Sequence, residues 1–370
     1  DSEALSQKKA DAIIETAQGE TMILTDSSDK LFEGLRVFGK STQDGTPSVE
    51  NPVPIVNAGE SGSITVEVTG RNLLKPNSYN TYYEFPLKAN TVITLMTNGK
   101  PSQGGNIKFS ATDGSNVWFA IDAGQTRVCK SIGSKDIKGF YDLLRPDDGL
   151  EYMFAMGDIK NYTPYVEPQS LTLQTPNGLP GVPVDKDGNY TDADGQQWIC
   201  DEIDLERGKY VQMVGKYVFD GTELINDSWL PTIVVNMRSD GLTGLRINGG
   251  LLSNYDNVAF SNNTGKSFSF NSAKWGVSNG SELKELLKTK SDSGSPVITQ
   301  YALATPIERD LTPEELAAYS SLHAYYPTTV ITNDAEAHME ATYVADTKAY
   351  INKKFEELNQ AIVKTQIALL

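Results

Sequence analysis

Residues 175–212 read TPNGLPGVPVDKDGNYTDADGQQWICDEIDLERGKYVQ, and this stretch constrains the fold more than any other. It is mostly β and turn chemistry. Gly178, Pro180, Gly181 and Pro183 punctuate its start. Asp-Gly pairs at 187–188 and 194–195 mark tight turns, because glycine enters positive φ without steric cost and aspartate tolerates it. Residues 196–204 then alternate as a strand, with Trp198, Cys200 and Glu202 on one side and Ile199, Asp201 and Ile203 on the other. No nucleophile–base pair or phosphate loop falls within it. The stretch reads as a rigid β clasp on which the flanking chain hangs.

A chain of 370 residues allows two or three domains, each with its own core. Short strand candidates among many Gly, Asn, Thr, Ser and Tyr residues give a mainly β class built of several β-sandwiches. The net charge of −16 argues against nucleic-acid binding, which needs a basic surface. It suits a soluble particle component, or something that meets cations or uncharged sugars. No apolar run reaches the roughly 20 residues that span a bilayer, and no charged-then-apolar signal peptide is present. Beginning at Asp1 rather than Met, the chain reads as processed or cut from something longer. Cys129 and Cys200 are its only cysteines and fall in different modules, so this is no disulfide scaffold.

Taken in order, residues 3–18 read as a helix ending near Gly19, either a linker or a surface for symmetry mates. Residues 21–24 and 35–38 are strand-like, and 64–69 alternate Ile64, Val66 and Val68 with Thr65, Glu67 and Thr69. These strands are expected to pair with 169–174 and 196–214, giving one β domain split by an insertion. Within the insertion, 91–96, 105–109, 117–121 and 151–154 read as strands. Further on, 233–237, 244–247, 267–270 and 297–303 do so too. Ser281 caps a short amphipathic helix, and Thr312-Pro-Glu-Glu315 opens another running to about His323. The domains expected are 1–19 as helix or linker, 20–71 with 166–216 as scaffold, 72–165 as insertion, 217–344 as a second β domain and 345–370 as a helix.

That last helix carries a heptad seam. Phe355, Ile362 and Leu369 occupy a, while Ile351, Leu358 and Thr365 occupy d. The seam is about three heptads long and reads as a coiled-coil oligomerisation helix. The alternative is one amphipathic helix docked on its own domain.

Several segments carry a resemblance. LTDSSDKLFEGLRVFGKSTQDGTPSVENPVPI (24–55), GRNLL (70–74), the 175–212 clasp, QYALATPIERDLTPEELAAY (300–319) and ATYVADTKAYINKKF (341–355) occur in this order. As a set they resemble the tail and baseplate-associated structural proteins of bacteriophages of Gram-positive bacteria and related prophages. The resemblance implies a virion location, other tail proteins as partners, and threefold self-assembly. Asn72-Leu-Leu74 and the 159–165 ending IKNYTPY bracket an insertion that resembles a carbohydrate-binding-module-like jelly roll. These motifs are structural, so they identify a kind of particle better than a chemistry.

Candidate chemistry is sparse, and no cofactor is implied. Asp185, Asp187, Asp192 and Asp194 offer oxygen donors at the spacing calcium uses, but the EF-hand order is absent and two Asp-Gly turns explain the same residues. His323 and His338 are the only histidines, and neither pairs with a Ser or Cys motif. Asp201, Glu202 and Asp204 could supply a glycosidase-like carboxylate pair, as any acidic chain could. Aromatics remain. Along 116–121, Val117, Phe119 and Ile121 share one face and Trp118 takes the other. Trp118 is either part of an open sugar-binding face, joined by Tyr79, Tyr82, Tyr83 and Tyr141, or filler for the second sheet. Trp198, Trp229 and Trp275 read as core or interdomain residues. The leading expectation is a non-enzymatic tail-tip or baseplate protein attaching a particle to a cell-surface glycan. The rivals are a purely structural connector, a surface-polysaccharide hydrolase, and a cell-surface carbohydrate-binding protein outside any phage.

Overall fold

The computed structural model describes residues 13–16, 21–24, 32–145, 149–192, 194–237, 250–261, 267–322 and 329–343. These residues are mainly β, in seven sheets with two helices. The heptad residues Ile351, Phe355, Leu358, Ile362, Thr365 and Leu369 lie outside them, as do His323 and the strand expected at 244–247.

The scaffold is two sheets sharing one core. Strands Ser63–Gly70 and Gln169–Gln174 pair antiparallel, as their alternation predicts, and Thr329–Asn333 and Thr21–Leu24 complete that sheet. The facing sheet places Phe32–Phe38 between Glu202–Asp204 and His338–Tyr343. Leu35, Val37, Ile64, Val66, Val68, Leu171, Ile203 and Met339 fill the space between. The helix expected over 3–18 is not formed at Ile13–Thr16, which instead pairs with His338–Tyr343 as the edge strand of this sheet. β-Branched Ile13, Ile14 and Thr16 favour extended backbone, and an open edge offers partners a lone helix lacks.

Two expected boundaries move. The 217–344 segment is not one domain, because Thr329–Asn333 and His338–Tyr343 belong to the scaffold sheets. The continuity comes from two long strands, Lys209–Phe219 and Val297–Asp310, which pair along both modules. One end lies in the scaffold. The other carries Tyr217, Phe219, Val297 and Tyr301 into a second core with Ile233, Phe268, Phe270, Trp275 and the buried Leu283 and Leu287 of the helix Gly280–Asp292. Asn279, not Ser281, caps that helix, accepting from the Glu282 N–H at 3.0 Å. Thr312 and Glu315 form the expected capping box of Pro313–Ser320. Trp229, expected inside, is 58% exposed beside the hairpin turn that holds the cis Leu230–Pro231 bond.

The clasp is also not one strand. Gln197–Cys200 pairs with Gly181–Val184 and Tyr190–Thr191, then the chain turns at Asp201 and Glu202–Asp204 enters the scaffold. Ile199 to Ile203 are all buried, so alternation gives way to burial on both faces. Gly39 and Gly181 let the backbones meet: a Cβ on Gly39 would overlap the Pro180 carbonyl, and one on Gly181 the Gly39 carbonyl. At the junction the two long strands lose register, and residues 303–306 lie opposite Met213 alone. Asp201 fills this gap. Its Oδ1 accepts from the N–H groups of Met213 and Val214, each at 2.7 Å, and its Oδ2 accepts from the Tyr210 hydroxyl at 2.8 Å.

Burial raises the Asp201 carboxyl to about 7 against those hydrogen bonds. The folded value lies above that of an unfolded aspartate, so the unfolded chain releases its proton first and stability falls as pH rises from about 4 to about 7. Unfolding free energies from urea titrations of the wild type and Asp201→Asn across that window should therefore diverge against the wild type, by at most ~1.4 kcal/mol per pH unit, and run parallel above it. Parallel curves throughout would remove Asp201 from this role.

Candidate functional site on the open face of the inserted module

The insertion is a sandwich of its own. A four-stranded sheet, ordered Asn116–Ile121, Gly105–Ala111, Ile137–Leu143, Tyr82–Leu87, faces a three-stranded one, ordered Arg127–Ser131, Val92–Thr97, Tyr152–Met156. Ile107, Phe109, Phe119, Ile121 and Phe140 from the first meet Ile93, Leu95 and Phe154 from the second. Successive strands cross between the sheets except at the hairpin joining Gly105–Ala111 to Asn116–Ile121.

Inward packing fixes what points outward. With Phe119 and Ile121 buried, Trp118 lies on the outer face, 53% exposed. With Ile107 and Phe109 buried, Lys108 lies on the same face. Antiparallel register sets Trp118 opposite Lys108, Lys108 opposite Tyr141, and Tyr141 opposite Tyr82. One cross-strand row therefore crosses all four strands, roughly 14 Å across three interstrand steps of about 4.8 Å. The Tyr82 and Tyr141 ring centroids are 4.8 Å apart, and Lys108 Nζ sits 4.2 Å from the Tyr141 centroid. Asn116, Ser110, Gly139 and Glu84 form the flanking row on one side, and Ala120, Asn106 and Leu143 lie on the other.

Not all five predicted aromatics join this face. Tyr83 points inward and stacks on Phe140 at 4.9 Å, since adjacent strand residues face opposite ways. Tyr79 is 45% exposed but sits in the turn before Tyr82–Leu87, outside the register. Sequence reading missed Lys108 and Gly139. Alternation with Ile107 and Phe109 places Lys108 outward, but its neighbours follow from non-local register. Gly139 matters through absence: a Cβ there would collide with the Tyr82 hydroxyl and the Tyr83 carbonyl. The Tyr82 hydroxyl is raised by burial and by nearby Glu84 and Tyr141.

Other candidates have structural employment. Asp192 Oδ1 accepts from the N–H groups of Asp194 and Gln196, and its Oδ2 from Trp198 Nε1, so it organises a turn. Among the described residues no three His, Cys, Asp or Glu side chains converge to hold a metal, the set Asp185, Asp187, Asp192 and Asp194 included. Glu202 is buried, where its Oε2 accepts from Asn189 Nδ2 at 3.1 Å. Asp204 caps the Arg207 N–H at 3.0 Å. His338 stacks on Tyr190 at 4.6 Å, and burial lowers its pKa to about 4. A cleft of about 350 Å³ near the neck of the insertion is lined by Lys75, Asn77, Ser78, Asp142, Tyr162 and Tyr165. Its Asp142 is raised by burial, against hydrogen bonds from the Ser78 hydroxyl and the Leu144 N–H. Both cysteines are free thiols, and no helix among the described residues is long and apolar enough to cross a membrane.

No protein-family model, curated protein or solved structure matches the chain.

Gly139→Val should displace the Tyr82 ring and destabilise the inserted module by about 1–3 kcal/mol, because the collision includes fixed backbone. Near-ultraviolet circular dichroism and thermal melting check this, and an unchanged spectrum with an unchanged midpoint would refute it.

Proposed function

We propose that this chain is a non-enzymatic tail-tip or baseplate component of a phage-like particle, and that its inserted module rests on host cell-surface glycan through the outer aromatic face. The observation that carries the reading is the cross-strand row Trp118–Lys108–Tyr141–Tyr82. Sugar rings lay apolar C–H faces on such rings, while Asn106, Ser110 and Asn116 are placed to meet hydroxyls. Strands hold these groups in place, so little ordering cost falls on binding. A flat, open row binds one glycan weakly. Assembly into a trimer through the 351–369 heptads would raise the avidity. The alternation of strands between sheets is in keeping with a jelly-roll-like module. Asp201, Glu202 and Asp204 are engaged in holding the fold, so a hydrolase reading gains nothing from them.

The test is binding of the labelled, oligomer-verified chain to a panel of Gram-positive cells and their purified wall polysaccharides. Saturable binding to one polysaccharide is expected, weakened about tenfold by Trp118→Ala with unchanged circular dichroism, as loss of about 1.4 kcal/mol of ring stacking requires. Binding indifferent to Trp118→Ala would move the site elsewhere. No binding across a broad panel would overturn the attachment role.

A further inference from the structure

We infer that the glycan taken by this face is anionic, with a carboxylate or phosphate group seated over Lys108. This rests on the attachment reading above and adds a ligand class to it. Lys108 is the second of four positions in the row, so a glycan lying along the aromatics must cross it. Its ammonium leans on Tyr141, which leaves its outer side toward the ligand.

The charge there is not cancelled. Four other cations of the module are held in ion pairs, Lys75 with Glu167, Arg127 with Asp158, Lys135 with Asp113 and Lys160 with Asp158, whereas Lys108, like Lys88, Lys100, Lys130 and Lys138, is in none among the described residues; what sets Lys108 apart is its place in the aromatic row. Glu84, an acid on the same face, is two strands away in the flanking row, beside Tyr82. A neutral glycan over the row would strip water from this ammonium and return no counter-charge, whereas an anion restores it.

The net charge of −16 opposes polyanions at long range. That repulsion is screened beyond about 8 Å at physiological salt, while a contact pair on the row acts within it. A salt series mixes the two effects, so substitution is the cleaner probe.

The experiment uses the full chain and the wall polysaccharide of the panel strain it binds, in three forms: native, carboxyl-reduced, and stripped of phosphate. Lys108→Gln should weaken binding to native polymer about fivefold, the value of one exposed charge pair, and Lys108→Arg should restore it. Lys108→Gln should leave binding to the neutralised polymer unchanged. Sensitivity to carboxyl reduction identifies a uronate, and sensitivity to phosphate removal identifies a phosphate-bearing glycan. If Trp118→Ala weakens binding while Lys108→Gln does not, or if the bound polysaccharide carries no acid, the attachment reading stands and the anionic inference falls. If no polysaccharide binds, both fall.

Discussion

The side chain of Asp201 is the constraint on which the arrangement of modules depends. Two long strands cannot keep perfect register through two differently oriented cores, and here they slip where residues 303–306 bow out against Met213. The slip would orphan the Met213 and Val214 N–H groups inside the protein, at a cost of about 1–3 kcal/mol each. Asp201 satisfies both with one oxygen and holds Tyr210 with the other. Its own backbone is held as well: its carbonyl accepts from the Gly39 N–H and its N–H donates to the Pro180 carbonyl. Clasp, scaffold and the long strand that runs on to the second core thus meet at one residue. Val182, Val184, Ile199, Val214 and Ala302 form the small apolar cluster beside it.

This junction explains what could be read from the sequence. The 175–212 punctuation signalled β structure, and the alternation of Ile64, Val66 and Val68 gave a strand that pairs with Gln169–Gln174. The break at Asp201 was hidden because residues 199–203 are buried on both faces, and period-two patterning carries information only where one face is wet. The scaffold's capture of Thr329–Asn333 and His338–Tyr343 was hidden for another reason. Both pair with strands more than 250 residues earlier, and local pattern says nothing about such partners. The strand Ile13–Thr16 is the same case: a sequence compatible with helix joined a free edge.

The site was legible to the same depth. Alternation set Trp118 opposite Phe119 and Ile121 but left open whether its face was open or packed; the structure leaves it 53% exposed. Alternation did not reveal the row, since the strands carrying Tyr82 and Tyr141 are interrupted, one by Pro86 and the other by the Gly139 register shift, and neither reads as a strand by pattern. The interruption shapes the row: Gly139 leaves the space that the Tyr82 ring covers. Lys108 was not singled out, although alternation with Ile107 and Phe109 turns it outward, and its position beside Tyr141 required the register.

An exposed Trp and Tyr on one sheet face could equally serve a protein partner, and the chemistry of the row is what favours the proposed glycan. Protein interfaces concentrate aromatics at a dry centre and exclude lysine from it. Here lysine lies between the aromatics, and the flanking rows carry Asn116, Ser110, Gly139 and Glu84 on one side and Asn106, Ala120 and Leu143 on the other. A partner protein would have to bury the Lys108 ammonium within a small, flat patch. A glycan brings its own hydroxyls and acid groups to these positions, and its rings need only the exposed Trp118 and Tyr82. The mixture of stacking surface with uncancelled charge thus matches a wet, polar ligand better than a second folded surface.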